Sequence, residues 1–264
     1  MDRMPSDHDP PGGVSARLVS PSAASADPRR INDYDSFAEE YSAGTEANLI
    51  NGYYARPAML ELAGDVAGRR MLDAGCGSGP LFAALRDRGA IVTGFDKSAG
   101  MLEVARQRLG DDADLVVAEL GSPLPFTDGA FDDVAASLVL HYLEDWGPAL
   151  AELRRVLKPG GRLIVSVDHP FAVALRNREW GREADYFATT NLTAEWSAGG
   201  RTALLRFWHR PLHAMTDAFS AAGFRITTIS EPSVSPDTPR ELLPDNDSNS
   251  RRFLCFLFFV LNSS

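Results

Sequence analysis

The run Asp73-Ala74-Gly75-Cys76-Gly77-Ser78-Gly79 sets three glycines at alternating positions behind an acid. Without Cβ atoms such a backbone turns tightly and approaches a ligand closely, as phosphate and nucleotide loops require. The dinucleotide pattern Gly-x-Gly-x-x-Gly is broken, because position 80 is proline. The lysine and hydroxyl of a Walker loop are also missing. Asp96, in Gly94-Phe95-Asp96-Lys97-Ser98, has the spacing of a carboxylate that accepts hydrogen bonds from both hydroxyls of a ribose. The lesser alternative is that Asp96 merely caps a helix beginning near Ser98, and the two roles are compatible. Together, loop and acid point to an adenosine-bearing ligand.

The elements that position these residues follow a repeated βα rhythm. Arg70 to Asp73 reads as a strand that runs into the glycines, and Leu81 to Arg88 as the following helix, with Pro80 in its first turn. Strands at Ile91 to Phe95, Leu115 to Ala118, Phe131 to Leu138 and Arg162 to Val167 alternate with helices at Met101 to Leu109 and Trp146 to Leu157. A parallel sheet covered on both faces is expected, an α/β Rossmann-like architecture. Tyr34, Phe37, Ala38 and Tyr41 fall at helical spacing ahead of the sheet, as does the stretch from Tyr53 to about Leu62. Residues 169–210 break the rhythm and read as an insertion. A helix at Pro211 to Ala222 and strands at Phe224 to Ser230 and from Arg252 end the domain, which spans 31–264. Residues 1–30, rich in Pro, Ser, Gly and Asp, read as a disordered tail.

Five motifs in this order resemble those of class I S-adenosylmethionine-dependent methyltransferases of the small-molecule type. They are Leu72 to Gly79, Asp96-Lys97-Ser98 with Met101-Leu102, Pro123-Leu124-Pro125-Phe126, Phe131-Asp132, and Leu157-Lys158-Pro159-Gly160-Gly161; Ala221-Ala222-Gly223-Phe224 fits the turn into the sixth strand. The resemblance implies seven strands in the order 3-2-1-4-5-7-6, the last antiparallel, with S-adenosyl-L-methionine as cofactor and S-adenosyl-L-homocysteine as product. It implies that Asp73, Gly75, Cys76, Gly77 and Gly79 surround the methionine part, and that Asp96 and Lys97 lie at the ribose. Met101 would lie against the adenine, Glu119 and Leu120 would contact it, and Ser137 and Leu138 would stand behind the methionine end. Glu119 departs from the aspartate many relatives carry there.

A sulfonium methyl is already reactive, so alignment contributes more than a general base, on the order of 7–11 kcal/mol. Where the acceptor is protonated a base is needed, and His141 and His169, after the fourth and fifth strands, are the candidates; each could instead order its loop. In proteins of this resemblance the N-terminal helices commonly cover the cofactor, which makes Tyr41 a cofactor contact and Tyr34 and Tyr54 acceptor contacts; core packing explains their spacing equally well. Tyr142 joins the acceptor candidates. So do Phe171, Trp196, Trp208, His209 and Arg210 of the insertion, where Trp180 and Tyr186 add to an aromatic wall fit for a planar or apolar molecule.

A net charge of −10 argues against a nucleic-acid partner, and an Asn/Asp-Pro-Pro-aromatic motif is missing after the fourth strand. The longest apolar run, Phe253 to Leu261, is about half a membrane span. Two cysteines and scattered histidines suggest neither disulfides nor a metal, which fits a cytoplasmic protein. The leading expectation is methyl transfer to an O, N or C atom of a small, aromatic or cyclic acceptor, with oligomeric state open. The alternatives are a protein that binds S-adenosylmethionine without catalysis and a nicotinamide-dependent oxidoreductase.

Overall fold

A computed structural model describes residues 15–18, 31–179, 181, 184–198, 201–243 and 251–263. The strands are β1 (Ser15–Leu18), β2 (Arg70–Ala74), β3 (Ile91–Asp96), β4 (Asp114–Val117), β5 (Phe131–Ser137), β6 (Leu157–Asp168), β7 (Thr190–Ala198), β8 (Arg201–His209), β9 (Phe224–Ser230) and β10 (Phe256–Ser263). The α-helices are α1 (Ala38–Glu46), α2 (Arg56–Ala63), α3 (Pro80–Asp87), α4 (Ala99–Leu109), α5 (Gly147–Val156), α6 (Pro170–Glu179) and α7 (Leu212–Ala221).

Seven strands form the central sheet in the order β4-β3-β2-β5-β6-β10-β9. Counted within that sheet alone, this is the expected 3-2-1-4-5-7-6. The first five run parallel, and β10 lies antiparallel between β6 and β9. Strand alternation sorts consecutive residues to opposite faces. Leu72, Val134, Val165 and Phe259 pack under α5 and α7, while Met71, Ala135, Ile164 and Phe258 pack under α2, α3 and α4. Each fully buried Phe or Leu contributes roughly 1.5–3 kcal/mol. Both faces are therefore covered, and ligand-facing groups are left at the carboxyl ends of the strands.

At the opposite end of β5, Asp133 is fully buried between Arg69 and Arg162. Burial opposes its charge, but the two guanidiniums overcome that and hold the carboxyl below its usual range. This ties β5 to β6 and to the start of β2.

Residues 169–210 are more regular than the aperiodic aromatics suggest: α6 is followed by a β7–β8 hairpin. Trp196, Ala194 and Leu192 on β7 stand opposite Ala203, Leu205 and Phe207 on β8. Ala203 and Leu205 pack on Phe37, with Tyr34, Tyr41, Trp196 and Phe207 around them. The hairpin thus forms a lid over the N-terminal helices. Asn32 staples it down: its amide oxygen accepts the Arg206 N–H at 2.8 Å, and its own N–H donates to the Leu204 carbonyl at 2.9 Å.

Within the segment expected to be a tail, Ser15–Leu18 instead pairs antiparallel with β7, residue Ser15 opposite Ser197. The free edge of β7 supplies the template. The rest of residues 1–30 lies outside the described set, as does Trp180.

Candidate active site

The glycine loop follows β2 directly. Gly75 and Gly77 have φ of 71° and 53°, in the left-handed region. A Cβ on Gly75 would lie 2.5 Å from Val139 Cγ2, so the loop is pressed against the segment that follows β5. Asp96, at the end of β3, accepts the Gly77 N–H through Oδ2 at 2.9 Å and the Ser98 N–H through Oδ1 at 2.9 Å. Loop anchor and helix-start contact therefore coexist in one carboxylate, and each oxygen retains capacity for a further donor.

From the other side the N-terminal elements close over this loop. Asp35 accepts from the Ser98 hydroxyl and the Gly100 N–H, both at 2.7 Å. Ser42 donates to the Ser78 hydroxyl at 3.0 Å. Glu46 binds Arg56 at 3.1 Å and Arg108 at 2.5 Å, joining α1, α2 and α4.

Between loop and N-terminal helices lies a cavity of about 310 Å³. Of the expected cofactor residues, Tyr41, Asp73, Gly75, Cys76, Gly77, Asp96, Lys97, Met101, Glu119, Leu120, Ser137 and Leu138 line it. Gly79 does not line it. At φ 79° it starts α3, and a Cβ there would meet Leu109 Cδ1 at 2.8 Å, so its glycine serves helix packing. Cys76 is buried, and burial raises its thiol well above the usual range, which disqualifies it as a nucleophile. Leu138 holds a φ of 54°, uncommon for a branched side chain, and its N–H donates to the Ser166 carbonyl at 3.0 Å.

Asp73 is 1% exposed, and its Oδ2 has no donor among the described residues. Burial first, then the charge of Asp96, pushes its carboxyl up to about 7. A buried, unpaired carboxylate oxygen on a cavity wall is suited to a cationic donor such as the amino group of S-adenosylmethionine. Asp96 suits a ribose by the same count of open acceptor positions. These residues fit the cofactor.

The expected acceptor residues divide. Tyr34 and Tyr142 line the cavity and their hydroxyls hydrogen-bond each other. Trp196 stands behind Tyr41, ring centroids 5.0 Å apart, and supports the wall without lining it. Trp208 alternates to the opposite face of β8 from Phe207, away from the aromatic cluster. Tyr54 belongs to the core: it is 1% exposed, packs on Phe253, Phe256 and Phe258, and donates to the Phe256 carbonyl at 3.3 Å. Phe171 is half exposed on α6 and stacks on Tyr186. His209 bonds the Tyr186 carbonyl through Nε2 at 2.8 Å. Arg210 lies over Trp146 and donates to the Glu144 carbonyl.

Neither candidate base lines the cavity. His169 Nδ1 accepts the Phe171 N–H at 3.2 Å at the start of α6, and Nε2 meets Glu231 Oε1 at 2.8 Å just after β9, so both ring nitrogens are taken up by structural contacts. His141 is buried behind Tyr142 and Phe207. Burial lowers its pKa, partly offset by Asp168, whose Oδ2 is 3.7 Å from Nδ1.

Asn32, Thr45, Asn51, Arg56, Val139 and Leu143 also line the cavity and carry no motif. Thr45, Asn51 and Arg56 are polar residues of the N-terminal helical elements, and local sequence pattern does not set them apart from their solvent-facing neighbours.

Comparison with known proteins agrees with this geometry. Residues 72–165 match the family described as methyltransferase domain. The chain is 40% identical over 134 residues to a demethylmenaquinone methyltransferase of Clavibacter sepedonicus, covering 50% of this chain and 55% of that protein. It is 42% identical over 108 residues to a malonyl-[acyl-carrier protein] O-methyltransferase of Serratia marcescens, covering 41% and 42%. The chain thus spans about half the length of the curated relatives it matches. The crystal structure of an S-adenosylmethionine dependent methyltransferase from Mesorhizobium loti superposes with a TM-score of 0.56 at 25% identity, over 79% of this chain and 95% of that one. Motif order and sheet topology agree with these matches: residues 72–165 match a methyltransferase domain, set in a fold shared with class I, S-adenosylmethionine-dependent methyltransferases.

Proposed function

We propose that the protein transfers a methyl group from S-adenosylmethionine to a small, aromatic or cyclic organic acceptor. The observation that carries this reading is one cavity shared by the glycine-loop cradle and the phenols of Tyr34, Tyr41 and Tyr142. When bound, the cofactor supplies a methyl group on a cationic sulfur. The chain's own residues hold and align. Asp73 takes the amino group, Asp96 and Lys97 the ribose side, and Met101, Glu119 and Leu120 the adenine. Ser137 and Leu138 close the methionine end, and the phenols receive the acceptor.

Alignment in the cavity contributes on the order of 7–11 kcal/mol to such a reaction, more than the roughly 10²–10⁴-fold typical of a general base. The burial of His141 and the use of both nitrogens of His169 fit a reaction driven by positioning. The relatives support methyl transfer but differ in acceptor, one named for a demethylmenaquinone and one for a malonyl-acyl carrier.

Calorimetric titration with S-adenosylhomocysteine, followed by transfer of labelled methyl from S-adenosylmethionine to a panel of phenols, quinols and carboxylic acids, tests the reading. Selective binding and labelled product support it. Binding with no turnover on any acceptor class favours the non-catalytic alternative, and absence of binding to folded protein removes both.

A further inference from the structure

The hydroxyls of Tyr34 and Tyr142 come from elements 108 residues apart and meet at the cavity wall. Tyr41 stands edge-on to Tyr34, centroids 4.9 Å apart, and its hydroxyl is close enough to couple to both. Each phenol carries one O–H. Tyr34 is hydrogen-bonded to Tyr142 and, on its other side, to Tyr41, so two bonds use two of the three hydrogens and leave the third for an acceptor outside the triad. Burial raises all three phenols above their usual range, so they remain protonated donors.

The other ionisable groups on the wall have other work. Arg56 is bound to Glu46, Asp96 holds Gly77 and Ser98, and Asp73, Lys97 and Glu119 sit on the cradle side, at the carboxyl ends of β2, β3 and β4. His141, His169, His209 and His213 are outside the cavity lining. Among the described residues, the phenol side of the cavity therefore offers a donor and no base, the carboxylates all standing on the cradle side.

We propose that Tyr34 and Tyr142, flanked by Tyr41, form a donor clamp for an acceptor that enters already ionised at oxygen: a carboxylate, or a phenol or enol acidic enough to be an anion in neutral water. The inference rests on the methyl-transfer reading. In the reaction the acceptor oxygen's lone pair forms the new carbon–oxygen bond. The methyl carbon–sulfur bond breaks, its electron pair stays on sulfur, and no proton is released. A neutral alcohol would need a proton acceptor, which the described residues on the phenol side do not provide.

The test uses the full chain saturated with S-adenosylhomocysteine, with benzoate, 4-nitrophenolate and neutral benzamide as ligand-observed NMR probes at about pH 8. Both anions are expected to bind at least about tenfold more tightly than benzamide, and the Tyr34→Phe, Tyr142→Phe double variant to shrink that preference below about threefold. S-adenosylhomocysteine affinity should stay within about twofold of the parent. Equal binding of anions and amide, no anion binding, or a preference that survives the double variant would each overturn the clamp while leaving the methyltransferase reading in place. A large fall in S-adenosylhomocysteine affinity in the variant would assign the hydroxyls to the cofactor and overturn it too. Failure of the parent to bind S-adenosylhomocysteine would instead sink the underlying reading.

Discussion

Asp96 receives the backbone N–H of Gly77 at 2.9 Å, so the residue suited to the ribose also sets the path of the glycine loop. Asp96→Ala strips this contact and the one from Ser98, leaving two backbone donors unmet at about 1–3 kcal/mol each. The variant should lose S-adenosylhomocysteine affinity by about a hundredfold or more and unfold at lower urea, with part of the affinity loss coming from a misplaced loop. Calorimetry beside urea melts checks this; parent-like affinity would show that Asp96 is a structural anchor alone.

Asp73 gives the site a pH dependence. Burial holds its folded-state carboxyl at about 7, while the unfolded chain titrates near about 3.9. Between those values the folded chain binds more protons, so the stabilising contribution is fully present below the lower value and is lost as pH rises through the upper one. Asp73→Asn should flatten this slope and exceed the parent in ligand-free stability at about pH 8. Binding runs the opposite way: an ammonium group needs the ionised carboxylate, so S-adenosylhomocysteine affinity should climb across the same window in the parent and stay low in the variant. Urea midpoints and titrations at matched pH values decide both.

Gly75→Ala combines a left-handed φ of 71° with a Cβ 2.5 Å from Val139 Cγ2. Backbone strain of about 1–2 kcal/mol adds to the clash. Adding Val139→Ala removes Cγ2 but keeps Cβ, 3.0 Å from the new methyl, so it should relieve most of the clash and leave the strain; urea melts showing a double variant fully restored to parental stability would contradict this division.

His169→Ala should cost stability, about 1–3 kcal/mol for the lost contacts at the head of α6, while turnover on any identified acceptor stays within about threefold. Thermal melts and single-turnover rates separate the two effects. A rate loss of a hundredfold without unfolding would return His169 to the list of bases.

Trp196 and Trp208 lie on adjacent strands with opposite consequences. Trp196→Ala removes the ring behind Tyr41 and should raise the acceptor KM, since the lid wall loses its backing. Trp208→Ala, on the outer face of β8, should leave KM within about twofold. Steady-state kinetics on the pair gives the comparison.

The parts of this architecture readable from sequence are those whose physics is local. The βα alternation, the glycine turn after β2 and the acid at the end of β3 each declare themselves within about ten residues. The lid was opaque because its partner surface, Phe37 with Tyr34 and Tyr41, lies more than 150 residues away from Leu192 and Ala203, and the alternation of β8 is blurred by Trp208 between Phe207 and His209. His169 followed the same logic. Its position after β6 matched a base, but Glu231, which fixes its ring, arrives from beyond β9. Tyr34 and Tyr54 share residue type and helical setting, and only tertiary packing sends one to the cavity and the other among Phe253, Phe256 and Phe258.

The antiparallel strand β10 slots between β6 and β9, and Phe258 and Phe259 fill both faces of the sheet at once. During synthesis, every other strand of the sheet leaves the ribosome before this one. Until residues 256–263 emerge, β6 and β9 each present an unpaired flank beside two half-finished cores. The nascent chain therefore waits longest for its most apolar segment, and chaperone demand should concentrate in that interval, after the glycine loop is made and before the sheet that supports it can close.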